Sequence, residues 1–159
     1  MKRRSIVALL MLGLMLGLSG CAGAPQQAAE TVKPCADVVA AILEGQAFEE
    51  MTALGEKQIA KYLEIDTELL ADMAMSIDAS RATAEAVAVL TAKDEDSLAE
   101  AQAALEAYRA VTLEQYRDYR PEEVPKLEDA ILHTRGLQTA LIISKDAAAA
   151  ETALQDAWK

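Results

Sequence analysis

Between residues 69 and 144 the hydrophobic period switches from two, to that of a helix, and back to two, and this alternation limits the fold more than any other feature. In 69–77, Leu69, Ala71, Met73, Met75 and Ile77 alternate with Leu70, Asp72, Ala74 and Ser76, the repeat of a β-strand. Asp78-Ala79-Ser80-Arg81 supplies turn-type residues, and in 85–92 Val87 and Val89 share one face while Ala88 and Leu90 share the other. Asp94, Glu95 and Asp96 then complement the positive end of a helix and offer caps, with Ser97 and Glu100 at capping-box spacing. Leu98, Ala101, Leu105, Tyr108 and Val111 or Thr112 form an apolar stripe that continues to Tyr116 and Tyr119, and Pro121 ends it. The pattern predicts a helix over 95–119. Strands over 127–135 and 137–144 follow, joined at Gly136, which can take a positive φ in a tight turn. Leu141-Ile142-Ile143 is a continuous apolar run, as expected of a central or doubly covered strand.

Two helices precede this block and one follows it. Pro34 suits a first helical turn, Val38, Val39, Ile42 and Leu43 share a face, and Gly45 is a stop, which predicts a helix over 35–44. Ile59, Tyr62 and Leu63 give a second helix, 55–63, its apolar side. Asp146 opens the last helix, with Ala150, Leu154, Ala157 and Trp158 facing inward. The order α-α-β-β-α-β-β-α predicts an α+β fold: a four-stranded antiparallel sheet with helices mainly on one face. The shape resembles a repeated ββα unit, 69–119 and 127–158, without a residue-level repeat.

The first 24 residues, MKRRSIVALLMLGLMLGLSGCAGA, have a different logic. Lys2, Arg3 and Arg4 precede thirteen unbroken apolar or Gly residues, Ile6 to Leu18. Such a helix reaches about 20 Å, short of a hydrocarbon core of about 30 Å, so a secretory signal is the better reading than a permanent span. The run ends in Leu18-Ser19-Gly20-Cys21, which resembles the lipobox of bacterial lipoprotein precursors. That resemblance implies a diacylglyceryl group on Cys21 and cleavage before it; two acyl chains meet the requirement for stable anchoring. The alternative is an ordinary signal peptide with an incidental Cys. Expected segments are therefore a signal peptide over 1–20, an acylated N-terminus and flexible tether over 21–34, and one α+β domain over 35–159. Cys35 is the only other thiol; it either packs near a helix start or joins two copies.

Charge then narrows the partners. Fifteen Lys and Arg stand against 26 Asp and Glu; without Lys2, Arg3 and Arg4 the count is 12 against 26, or −14. No basic face for phosphate is implied, which argues against nucleic acid. Cationic docking on anionic lipid is likewise not expected, leaving the acyl chains at Cys21 as the hold on the membrane.

Several stretches resemble a family of small lipoproteins of clostridia and related Firmicutes catalogued as a domain of unknown function. They are EAVAVLTAKD at 85–94, YRPEEVPKL at 119–127, Arg135-Gly136 and Ser144-Lys145-Asp146, and in order and spacing the resemblance extends over most of 36–158. The chain departs from the family pattern at Ala84, where Asp is usual, and at Gln138, where an aromatic residue is frequent. The resemblance implies a one-domain lipoprotein and brings no functional residues.

Chemistry is sparse. His133 is the single histidine and lies on a predicted strand; no Gly-x-Ser-x-Gly elbow accompanies it, so it reads as a surface or sheet-edge side chain rather than a base. Zinc needs more ligands than His133 and Cys35 offer. Asp94-Glu95-Asp96 lacks the Gly and terminal Glu of a calcium loop and reads as helix capping. No catalytic residue, metal or cofactor is expected. The distinctive cluster is Tyr108-Arg109, Tyr116-Arg117 and Tyr119-Arg120, followed by Lys126. It reads either as an interaction face, since Tyr and Arg anchor interfaces, or as rings packed inward with Arg109 and Arg117 paired to Glu106 and Glu114. The expected function is a noncatalytic binding or assembly module, lipid-anchored on the outer face of the cell membrane, with an envelope protein as a candidate partner. A hydrolase of envelope polymers is the alternative.

Overall fold

The computed structural model describes residues 32–159, so the leader, Cys21 and most of the expected tether lie outside the described residues. Helix α1 spans Cys35–Glu44, strand β1 Met51–Ala53, α2 Glu56–Leu63, β2 Leu70–Asp78 and β3 Ala86–Ala92. Then come α3, Glu95–Tyr119, α4, Val124–Glu128, β4, Ile131–Arg135, β5, Gln138–Ile143, and α5, Ala147–Ala157. Short 3-10 turns at Thr67–Leu69 and Pro121–Glu123 lead into β2 and α4.

The fold is α+β, as the periods indicate, but the sheet has five antiparallel strands in the order β1-β2-β3-β5-β4 rather than four. The added strand, β1, pairs Met51 to Asp78, Thr52 to Ile77 and Ala53 to Ser76. Three residues are too few to display a period, so tertiary pairing alone makes this segment a strand. The predicted strand 127–135 also begins later, at Ile131. Pro121 and Pro125 occupy first helical turns, where a missing N–H costs nothing, and Leu127 on α4 is fully buried.

Helices cover both faces of the sheet, which corrects the expectation of one. Val87, Val89, Ala140 and Ile142 pack with Cys35, Val38, Val39 and Ile42 of α1 and Ala150, Leu154 and Trp158 at α5. The alternate residues Ala86, Ala88, Leu90, Leu141 and Ile143 pack with Ile59 and Leu63 of α2, Ala101 and Leu105 of α3, and Leu127. Central strands buried on both sides must be apolar at every position, and all six residues of β5 are buried. α3 and α5 thus lie on opposite faces, so the two ββα units are not equivalent.

Asp94 caps α3 by accepting from the Ser97 N–H at 2.8 Å, so Ser97 lies inside the first turn and is buried instead of serving as the cap. Helix α3 runs 25 residues, about 37 Å at ~1.5 Å each, and its stripe is buried at Ala101, Leu105 and Thr112. Val111 and Tyr119, read as part of that stripe, are 57 % and 80 % exposed. Gly136 takes φ +55° in the β4–β5 turn, as its position predicts.

A buried polar network fixes the start of the domain. The Gln138 amide donates to the Thr91 hydroxyl at 2.9 Å and to the Lys33 carbonyl at 3.0 Å, and accepts from the Trp158 indole at 2.7 Å. The Cys35 N–H donates to Asp72 at 2.7 Å. Position 138 thus keeps an aromatic contact, supplied from α5 by Trp158. Cys35 is fully buried, and burial pushes its thiol up to about 12, with Asp72 adding to the rise and the Thr91 and Gln138 hydrogen bonds opposing it. The structure therefore favours the packed thiol over one that joins two copies.

Candidate functional site

The chain joins the sheet where β2 begins and β3 ends, beside Asp72 and Thr91. A cleft opens at the other end of these strands and on the other face. Its volume is about 700 Å³, within the range of about 300–1,000 Å³ common for ligand sites. Its long wall is the C-terminal half of α3, its opposite wall the end of α2, and its floor Ile77, Asp78, Ala84 and Glu85. All four tyrosines of the chain line it: Tyr62, Tyr108, Tyr116 and Tyr119.

The rings are placed in different ways. Tyr108 packs edge-on against Tyr62, with centroids 6.4 Å apart, and burial pushes its phenol up to about 12. Tyr116 donates from Oη to the Thr83 carbonyl at 2.6 Å, tying α3 to the β2–β3 loop. Tyr119 stands at the rim. Of the six residues of the Tyr/Arg cluster, the structure brings these three tyrosines to one surface and turns two arginines away. Each Arg follows its Tyr by one position, which rotates it about 100° around the helix. Arg109 pairs with Glu106 at 2.5 Å and donates to the Leu127 carbonyl at 3.0 Å; Arg117 pairs with Glu114. Arg120 lies 6.0 Å from the Tyr119 centroid and 3.9 Å from Glu122. The pairing of Arg109 and Arg117 is that of the packed reading, whereas Tyr119 is not packed inward.

The cations of the cleft come from residues the periodic patterns did not single out, Lys61 and Arg81. Neither has an acidic partner among the described residues. Arg81 has φ +57° and Glu64, which ends α2, has φ +49°. These are the only non-glycine residues with positive φ among the described residues, and both line the cleft. The Arg81 backbone is held by Asp78, whose carbonyl accepts the Arg81 N–H at 3.1 Å. The Asp78 carboxylate accepts from Ser80 N–H and hydroxyl at 2.8 Å, and from Thr83 N–H at 2.7 Å and hydroxyl at 2.9 Å. Burial pushes the Asp78 carboxyl up, but hydrogen bonds from the Ser80 hydroxyl and from Thr83 outweigh this and hold it at about 2.

From Glu85 on the floor an ionic cluster joins two of the segments that carry the family resemblance. Lys126 sits 3.2 Å from Glu85 and 3.0 Å from Glu123, and both carboxylates are buried. Glu85 also accepts from the Glu49 N–H at 2.9 Å, and Glu123 from the Ala84 N–H at 2.9 Å. Burial pushes the Lys126 ammonium down, but the two carboxylates more than offset it and raise it. The signal available beforehand was the recurrence of Glu85, Glu123 and Lys126 in the two quoted stretches; spacing alone does not show that they meet.

The remaining candidates lie elsewhere. His133 is half-exposed on edge strand β4, 3.7 Å from Glu151. Asp94, Glu95 and Asp96 are exposed at the start of α3; hydrogen bonds from Ser97 hold the Asp94 carboxyl below its usual value. Among the described residues no group of three or more His, Cys, Asp or Glu is arranged to hold a metal ion, and no helix is long and apolar enough to cross a membrane.

Fold and cleft together define an α+β domain with helices on both sheet faces and a tyrosine-lined cleft on one of them. Residues 46–144 match the family described as a domain of unknown function, DUF4358, and the chain belongs to that family. The match runs from before β1 to just past β5, so it contains every strand and the cleft and leaves out α1 and α5. No match was found among curated proteins or among solved structures.

Proposed function

We propose that this protein is a noncatalytic binding module, held at the outer face of the cell membrane by lipid on Cys21, with the tyrosine cleft as its binding site. The observation that carries the reading is the gathering of all four tyrosines and both left-handed residues in one cleft. Tyrosine gives a large, rigid contact area at low conformational cost, and backbone strain concentrates at sites that use it. The leader supports the anchor: cations, a thirteen-residue apolar run and Leu18-Ser19-Gly20-Cys21 occur in the order of a lipoprotein precursor.

The hydrolase alternative gains little from the two carboxylates on the floor. Glycoside cleavage needs one acid kept protonated near neutral pH. Asp78 is shifted the other way, and Glu85 is paired with Lys126.

The test uses a photoreactive amino acid in the full-length protein in intact cells, at Val111 on the cleft or at Glu151 on the opposite sheet face. A discrete adduct at Val111, lost on Tyr108→Ala and absent at Glu151, supports the reading. Equal or absent adducts at both positions contradict it. In the same cells Cys21→Ser should move the protein out of the membrane fraction; retention as firm as wild type removes the lipid anchor from the proposal.

A further inference from the structure

We propose that the cleft takes an acidic saccharide: a sugar ring, free or within a polymer, that bears a carboxylate. The inference rests on the reading of the cleft as a binding site and adds the class of ligand. Charge gives the first argument. The described residues carry 12 Lys and Arg against 25 Asp and Glu, yet two cations without acidic partners, Arg81 and Lys61, converge on this cleft. Two of the three acids that line the cleft do not cancel them: Asp78 has four donors on its two oxygens, and Glu85 is held by Lys126 and the Glu49 N–H. Glu64, at the end of α2, is the third and offsets only one of the two cations. An anion of the ligand therefore meets free donors on Arg81 and Lys61, with a guanidinium suited to a carboxylate.

The body of the ligand follows from the walls. Tyrosine rings offer flat apolar faces to the C–H face of a sugar, and Gln115 on the same wall can donate and accept, as sugar hydroxyls do. An extended peptide is less well served. The long wall is the side of α3, whose backbone groups bond within the helix, and β2 is paired on both edges, by β1 and β3. Among the described residues no sheet edge lines the cleft to give a peptide its ladder.

The experiment is calorimetric titration of the full-length protein in detergent micelles with four probes: galacturonate, its hexamer, the methyl ester of that hexamer, and hexaglutamate. The expected result is saturable binding of the hexamer, at least tenfold weaker for the ester. Arg81→Gln should weaken the hexamer at least tenfold and Arg81→Lys less; Tyr119→Ala should weaken it, and Arg117→Gln, on the far side of α3, should leave it unchanged. Equal affinity for monomer and hexamer assigns a free sugar acid, and a gain with length assigns a polymer; both uphold the proposal. No binding of any galacturonate, or binding indifferent to esterification or to Arg81→Gln, overturns it. If the ester or hexaglutamate binds best and Tyr119→Ala weakens that binding, the ligand class falls while the cleft stands. Binding that Tyr119→Ala does not change takes the cleft with it.

Discussion

The guanidinium carbon of Arg81 lies 5.4 Å from the centroid of the Tyr62 ring, so a loop residue and a residue of α2 meet across the mouth of one cleft. At an exposed site such a cation–π contact contributes about 0.5–1 kcal/mol. It is made from a left-handed backbone, which costs an L-residue roughly 1–2 kcal/mol and glycine almost nothing. The contact does not repay the strain, which points to a role for Arg81 other than stability.

Substitution at Arg81 separates the two effects. Arg81→Gly should be more stable than Arg81→Ala by about 1 kcal/mol, and no less stable than wild type. Urea denaturation of the three proteins measures this. If Arg81→Gly is less stable than wild type, the side chain is there for stability.

Asp78 should make stability depend on acid. Its folded carboxyl is depressed from 3.8 to about 2, so its contribution is complete above the unfolded value and is lost as pH falls through about 2. Asp78→Asn should cost about 2–3 kcal/mol at neutral pH, since an amide cannot accept from all four donors. The mutant should also show a shallower loss of stability between pH 4 and pH 2. Parallel pH profiles for mutant and wild type would remove Asp78 from this account.

Lys126 should be the costliest single truncation on the surface of α4. Lys126→Met leaves Glu85 and Glu123 buried without a counter-charge, a change that costs about 3–5 kcal/mol. Adding Glu123→Gln to it should cost less than the sum of the two single changes, because it removes one of the stranded charges. Denaturation of the double-mutant cycle tests the coupling; simple additivity would mean the three side chains do not act together.

Cys35 should be chemically silent while the protein is folded. A thiol pushed up to about 12 and fully buried supplies almost no thiolate at pH 8. Maleimide labelling of Cys21→Ser protein should be slow until denaturant is added, and a nonreducing gel should show no Cys35-dependent dimer. Native labelling as fast as that of a free cysteine would contradict the buried network.

Helices α1 and α3 were legible in the sequence because each combines a periodic face with a local stop, Gly45 for one and Pro121 for the other. The strands β2, β3 and β5 were legible from alternation or continuous apolar character. Strand β1 was not, because three residues have no period and only Ser76, Ile77 and Asp78 make them a strand. The second helical layer was partly legible: Leu141-Ile142-Ile143 signals a strand covered on both sides, but nothing local says which helix goes where. At the site the Tyr/Arg cluster was visible as a cluster, and the split of its rings from its guanidiniums follows from helix geometry. Arg81 was hidden within a turn-type stretch. Its placement depends on Asp78 folding the loop back on itself, and Arg has no intrinsic preference for positive φ.

The most direct test of the central claim, that this cleft is occupied by a ligand in the cell, is a tyrosine footprint. Tyr119 is 80 % exposed in the free protein, so a membrane-impermeant tyrosine reagent should modify it readily in detergent-purified full-length protein. On intact cells clear protection of Tyr119 is expected, while modification at exposed Lys159, next to Trp158 on the opposite sheet face and read with an amine reagent, stays the same. Equal modification of Tyr119 in cells and in the purified protein, with the Lys159 signal matched, would contradict it.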